Sequence, residues 1–144
     1  MEYVCILADD DSMFVDAVYH DLRSFFDKKS MKFEFLLSVK EVANFIKNAK
    51  SKSSKNKIIV PLAIVDLWLV DKENNISNTQ AGYEILRMLR GEWPDSYIII
   101  LSAHIKNNVK SILSDYTNIA ILNKPTSTSE LKSIIDDKLE EMGV

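Results

Sequence analysis

The sequence predicts an α/β fold: a doubly wound sheet of five parallel strands with helices on both faces. Three observations carry this. Short apolar runs alternate along the chain with segments whose apolar residues recur every three or four positions, the order expected of parallel strands crossed by helices. The central run "IIVPLAIV" is nearly continuous and rich in β-branched residues, as a strand covered on both faces requires. The chain has 144 residues, 47% of them hydrophobic and 27% charged, which is enough for one core and one ordinary globular domain spanning 1–144.

The elements follow in order. Val4 to Ala8 is an apolar run that ends in acids, a buried strand. From Met13 to Phe26 the apolar residues Phe14, Val18, Leu22 and Phe25 form a helical stripe. "KFEFLL" alternates Phe33, Phe35 and Leu37 and reads as the second strand. Ser38 and Glu41 then offer a capping box ahead of Val42, Phe45, Ile46 and Ala49. The lysine- and serine-rich stretch Lys47 to Lys57 reads as a solvated loop, with a docking patch as the alternative. "IIVPLAIV" is the third strand, and "DKENNISNT" is another long loop. Ile85, Leu86 and Leu89 mark a third helix, "SYIIILS" a fourth strand, and Ile105, Val109, Ile112 and Leu113 a fourth helix. "NIAIL" is the fifth strand. After Pro125 the last helix carries Leu131, Ile134, Ile135, Leu139 and Met142, with Ser127 and Glu130 as a second capping box. This is a (βα)5 chain, and right-handed crossovers leave the flavodoxin-like order 2-1-3-4-5 as the expected topology.

Several function classes are excluded. The net charge is −3, so there is no electrostatic case for direct nucleic-acid or membrane binding. Cys5 is the only cysteine and lies in an apolar run, which suits a reducing cytoplasm rather than a disulfide framework. The start "MEYVCILADD" lacks the features of a signal peptide, and the longest apolar run, broken by Pro61 and Asp66, is too short to span a bilayer. With three glycines and no glycine-rich phosphate loop, flavin or nucleotide binding is a weak reading. The five methionines read as core filler, and His20 receives no role.

In sheets of this kind ligands bind beyond the carboxyl ends of the strands, at the switch point, here between strands one and three. Strand one ends in Asp9, Asp10 and Asp11; strand three ends in Asp66; strand four ends in Ser102; strand five ends at Lys124-Pro125. Side-by-side carboxylates suit a solvated turn, a helix cap or a seat for a cation. The convergence of these groups with a hydroxyl and an ammonium favours a hard divalent cation such as Mg²⁺, which takes one or two carboxylates and keeps waters. Asp11 differs from its neighbours: it lies nearest the helix start, where a negative charge meets the helix dipole.

From Asp9 and Asp10, through Asp66 and Ser102, to Lys124-Pro125, the chain resembles a response-regulator receiver domain of two-component signalling (CheY-like) over essentially its whole length. The spacing of 22 from Ser102 to Lys124 and the position of Gly82 in "AGYEIL" also look like the family. The resemblance implies a phosphoprotein that takes part in phosphorelay signal transduction and catalyses only its own phosphorylation and dephosphorylation. Asp66 would be the phospho-acceptor. Asp10, Asp66 and the backbone carbonyl of Trp68 would ligate Mg²⁺, with Asp9 acting through a water. Lys124 and Ser102 would contact the phosphoryl oxygens, and the Lys124-Pro125 bond would be cis. The implied partners are a histidine kinase or histidine phosphotransfer protein, a downstream target or an output domain, and a second copy in a homodimer. No output domain is expected within residues 1–144.

The chain departs from the family at several places. Ile121 stands where relatives carry an aromatic residue that swings inward, so the output face is expected to be unusual. Val70 replaces a frequent proline, and the loops from Asp66 to Gly82 and from Lys47 to Lys57 are long. Trp68 and His104 occupy positions that in the family tune loss of the phosphoryl group; Trp68 reads as a shield or as loop packing, His104 as a neutral surface residue. Two competing functions remain. A pseudo-receiver would keep the fold as an interaction module without phosphate. A small phosphatase with an aspartyl nucleophile would need a second acid where this chain has Trp68.

Overall fold

The computed structural model describes residues 1–67, 70–71, 76–77, 79–102 and 113–144. The main sheet contains β1 (Glu2–Ala8), β2 (Met31–Leu36), β3 (Ile58–Asp66), β6 (Tyr97–Ser102) and β7 (Ile119–Asn123). They are all parallel in the order β2-β1-β3-β6-β7, which is the expected 2-1-3-4-5. Four helices are described: α1 (Ser12–Lys28), α2 (Val39–Lys50), α3 (Thr79–Glu92) and α4 (Thr128–Met142). The proposed helix through Ile105, Val109 and Ile112 lies outside the described residues, as do Trp68 and His104; Leu113 is buried in the core.

Strand alternation sorts the core into two layers. Val4, Ile6, Ala63, Val65, Ile98 and Ile100 face the side of α2 and α3. Cys5, Leu7, Leu62, Ile64, Ile99 and Leu101 face the side of α1 and α4. Burial on both faces explains why these runs read as continuous rather than alternating. It also raises the pKa of the Cys5 thiol, so this cysteine packs as a small apolar side chain and is no nucleophile.

The structure revises three expectations. The buried stripe of α1 is Val15, Val18, Leu22 and Phe26, while Phe14 and Phe25 are half-buried at its margins. The stretch from Lys47 to Lys57, expected as a loop, continues α2 through Lys50 and holds a 3-10 turn at Ser54–Asn56, while β2 is the edge strand the expected order requires, with Phe33 and Phe35 partly exposed and stacked, ring centres 5.2 Å apart. The stretch read as one long loop after Asp66 contains an antiparallel pair, β4 (Val70–Asp71) and β5 (Ile76–Ser77). Two residues per strand are too few to show any alternation in the sequence. Pro61 sits within a central strand, which it can do because the register of β3 against β1 slips there, from Tyr3↔Ile59 to Cys5↔Leu62.

Helix starts follow the capping rules. Ser38 Oγ accepts from the Glu41 N–H at 3.2 Å, and the Glu41 carboxylate reaches back to the Leu37 N–H at 2.7 Å. Ser127 Oγ likewise accepts from the Glu130 N–H at 3.1 Å.

Arg90 fixes the loops that lead into β6 and β7. Its Nη1 donates to Pro94 O at 2.8 Å and Ser96 O at 2.7 Å, and its Nη2 to Thr117 O at 2.8 Å and Asn118 O at 3.4 Å. One planar fork thus holds four carbonyls from two segments, a geometry that an ammonium cannot copy. Arg90→Ala is expected to destabilise the fold by about 2–3 kcal/mol, and Arg90→Lys to recover less than half of that. Urea denaturation of the three proteins is the check; a lysine variant equal to wild type would rule out the fork.

Candidate functional site

The carboxyl ends of β1, β3 and β7 bring the carboxylates of Asp9, Asp10 and Asp66 and the ammonium of Lys124 into one crevice. β1 ends at Ala8, and the chain turns through Asp9, Asp10 and Asp11 into α1. The Asp9 side chain is fully buried, and its Oδ1 accepts from the Asp11 N–H at 2.9 Å, which stabilises that turn. Asp11 is the N-cap of α1, with Oδ1 accepting from the Phe14 N–H at 3.3 Å. The three aspartates therefore divide their work: Asp11 caps the helix, while Asp9 and Asp10 turn toward Asp66. Carboxylate oxygens of Asp9, Asp10 and Asp66 all lie within 4.8 Å of one another.

Asp66 is the last residue of β3 and is paired in register with Leu101 of β6. The next residue, Leu67, is buried and tied back by its N–H to Leu101 O at 2.9 Å. Ser102 is fully buried at the end of β6, one step past that pair. Its carbonyl accepts from the Lys124 N–H at 2.9 Å, and this backbone contact places the lysine. The bond from Lys124 to Pro125 is cis.

The Lys124 ammonium reaches both acids from the opposite wall. Nζ lies 2.7 Å from Asp9 Oδ2 and 3.3 Å from Asp66 Oδ2. The Asp9 contact is the shorter of the two, a close ion pair between a buried carboxylate and a largely buried ammonium. Beneath the ammonium lies the Phe14 ring, 4.8 Å from Nζ to its centre. Sequence reasoning missed this contact; the only signal was the place of Phe14 in the first turn after the acids. The ring covers the lysine with an apolar, electron-rich face and holds it over the crevice.

The electrostatics follow from burial. Loss of hydration is the largest influence on Asp9. It outweighs the contacts with Lys124 and the Asp11 N–H, and with the nearby charge of Asp66 it raises the Asp9 pKa from 3.8 to about 6. For Lys124 burial pulls the pKa down, but the two carboxylates together pull harder, and the net shift is upward. Lys124 therefore stays charged at neutral pH. Three carboxylates against one ammonium leave negative charge in excess, and oxygen donors this close together fit a hard divalent cation.

Gly82 is a second feature that the sequence signalled without explaining. A Cβ on this residue would lie 2.5 Å from Leu67 O and 2.7 Å from Leu67 Cα. Only glycine lets α3 pack this closely against the backbone that follows Asp66. Ile121 lies on β7 opposite Ile100, partly buried against the α2–α3 layer. The Trp68 carbonyl, proposed as a cation ligand, lies outside the described residues.

No protein-family model and no curated protein sequence matches the chain. Solved structures do. The signal receiver domain of a LuxO-type repressor from Vibrio parahaemolyticus superposes with a TM-score of 0.69 at 18% identity, covering 98% of this chain and 92% of that one. A CheY-like response-regulator receiver domain from Methanospirillum hungatei gives 0.68 at 18% identity, covering 98% and 95%. A Burkholderia pseudomallei response regulator, solved with a phosphorylated aspartic acid and a calcium ion, gives 0.61 at 17% identity, covering 92% and 65%. The chain therefore has the receiver-domain (CheY-like) fold. Among the described residues no helix is long and apolar enough to cross a membrane.

Proposed function

We propose that this chain, having the receiver-domain fold, is a phospho-accepting switch of two-component signalling with Asp66 as its acceptor. The observation that carries the reading is the bridge made by Lys124 Nζ, 2.7 Å from Asp9 and 3.3 Å from Asp66, at the edge of three converging carboxylates. Bringing an anionic phosphoryl group to an anionic carboxylate requires cationic charge placed beforehand, and this crevice is built to hold it.

The chemistry is a simple transfer. An Asp66 carboxylate oxygen forms a bond to phosphorus while the donor's P–N bond breaks, and that electron pair returns to the imidazole of a histidine kinase or phosphotransfer protein. The product is an acyl phosphate on Asp66. Lys124 is poised to leave Asp66 Oδ2 for a phosphoryl oxygen while keeping its pair with Asp9. Ser102, at the end of the neighbouring strand, would supply a hydroxyl to a phosphoryl oxygen. Asp9, Asp10 and Asp66 would hold Mg²⁺, and the bound ion would offset the negative charge of carboxylates and phosphoryl group. The product adds about −1.5 to −2 of charge to the crevice and so changes which partner the surface binds. Ile121 is stiff at χ1 and short, so the response on β7 is expected to be smaller than an aromatic side chain would give.

Intact mass after incubation with Mg²⁺ and a small acyl-phosphate donor tests the reading. The wild-type chain should gain one phosphoryl group; Asp66→Asn and the metal-chelated protein should not. Equal labelling of Asp66→Asn would reject the acceptor, and no labelling of wild type would favour a phosphate-independent interaction module.

A further inference from the structure

We infer that the chain carries a second binding site, at the amino-terminal end of the sheet, for an extended acidic segment of a partner protein. Two observations point there independently of the aspartate cluster.

The first is a strand end without a neighbouring strand. β3 begins at Ile58, but β6 joins it only from Tyr97, opposite Leu62. Ile58 to Pro61 therefore have no strand beside them on the β6 side. The chain that would continue β6 backwards turns away instead, with the Ser96 N–H bonded to Trp93 O at 3.1 Å. In place of a strand, the Trp93 indole N–H donates to Ile58 O at 3.1 Å. What remains is a half-open groove of about 680 Å³ with an apolar floor that includes Ile58, Val60, Pro61 and Trp93. Its volume lies within the range of ligand clefts. The groove can take an extended peptide along Ile58 and Ile59, the partly exposed start of β3, with apolar side chains against its floor.

The second observation is charge. Lys47 to Lys57 contains five lysines and no acid, so this segment carries +5 in a chain of net −3, leaving −8 for the rest. Lys50, Lys52 and Lys57 stand on the rim of the groove. Only Lys50 of the five has an ion pair among the described residues, with Glu92 at 3.6 Å. Glu92 and Asp95 also border the groove. A long polyanion such as a nucleic acid would run past the lysines onto a chain that otherwise sums to −8, whereas a short acidic segment can end within the lysine rim. The groove thus selects carboxylates at its edge and apolar side chains below. Counted along β1, it lies about 20 Å from the aspartate crevice, so a partner can be held there whether or not Asp66 is phosphorylated.

The test is an amide NMR titration of the full chain with an eight-residue peptide alternating glutamate and valine. We expect shifts at Ile58 to Val60, at Lys52 and Ser53 and at the Trp93 indole N–H, with none at Asp9 to Asp11. The double variant Lys52→Glu, Lys57→Glu should bind about tenfold more weakly, and Asp66→Asn should bind as wild type does, which separates this site from the proposed phosphorylation. No shifts in the groove at millimolar peptide would overturn the inference. So would equal binding of an octaglutamate, which lacks apolar side chains, or tighter binding of duplex DNA or of phosphatidylserine vesicles at the same lysines.

Discussion

Gly82→Ala is expected to destabilise the fold by about 3 kcal/mol or more, the effect of forcing an extra methyl into a packed interior with no room to yield. The new Cβ would stand 2.5, 2.7 and 2.8 Å from the O, Cα and C of Leu67. These are backbone atoms and cannot rotate aside. Leu67 cannot retreat either, because its side chain is fully buried and its N–H is bonded to Leu101 O. The helix must move away from the sheet, and the end of β3 moves with it. Alanine is the better helix former by about 1 kcal/mol, so propensity opposes the clash and loses. Gly91, in the last turn of the same helix, is the internal control. Nothing lies within 4 Å of a Cβ built there, so Gly91→Ala should stabilise by about half a kcal/mol. Urea denaturation of both variants gives the two signs. A Gly82→Ala protein as stable as wild type would mean that α3 does not press on Leu67. Phosphodonor labelling should fall in Gly82→Ala and remain unchanged in Gly91→Ala, because only the former displaces the strand end that carries Asp66.

Much of this architecture is legible in the residues because burial on both sheet faces writes long apolar runs, and each run must end where the chain meets solvent. The acids after Ala8 and Val65 and the lysine after Asn123 fall at those ends, and parallel order then puts them on one rim. The convergence of the Asp9, Asp10 and Asp66 carboxylates within 4.8 Å is thus a consequence of topology, which is why the residue order alone anticipates it. What could not be anticipated depends on distances between elements. The sequence shows Gly82 but not the Leu67 backbone it approaches. It shows Phe14 as one more apolar residue of a helical stripe, whereas the fold turns it beneath Lys124. It shows Arg90 as one more surface charge on α3, whereas the fold closes two loops over its guanidinium. The β4–β5 pair escaped for a different reason: two residues per strand carry no periodicity. The lysine-rich segment reads as solvated loop because charge alone reveals neither the last turn of α2 within it nor the groove beside it; the late start of β6 marks that groove.

The buried Asp9 makes the stability of the metal-free protein depend on pH in a direction opposite to that of an ordinary salt-bridged acid. Its pKa rises from 3.8 to about 6 on folding, chiefly through lost hydration. Between these values the folded chain holds a proton that the unfolded chain has released, so stability falls as pH rises through this window. The stability associated with the protonated group is fully present below about pH 4 and gone above about pH 6. The cost of the buried charge at neutral pH is at most about 3 kcal/mol, since each pKa unit is worth about 1.4 kcal/mol. Asp9→Asn keeps the shape of the protonated side chain and removes the titration. In chelator-treated protein at pH 7.5, Asp9→Asn should therefore be more stable than wild type, and the gap should close as the pH is lowered toward 4. Taking the difference between the two proteins cancels the acids remote from Asp9, whose titration both share. Magnesium should reverse the order. It favours the ionised carboxylates, so at pH 7.5 it should stabilise wild type more than Asp9→Asn, and its effect on wild type should weaken below pH 6. Urea midpoints for both proteins, with and without Mg²⁺, across pH 4 to 7.5 give the four curves. A metal-free difference that stays flat across this window would show that Asp9 is already fully compensated by Lys124. A magnesium effect equal in both proteins would remove Asp9 from the cation site.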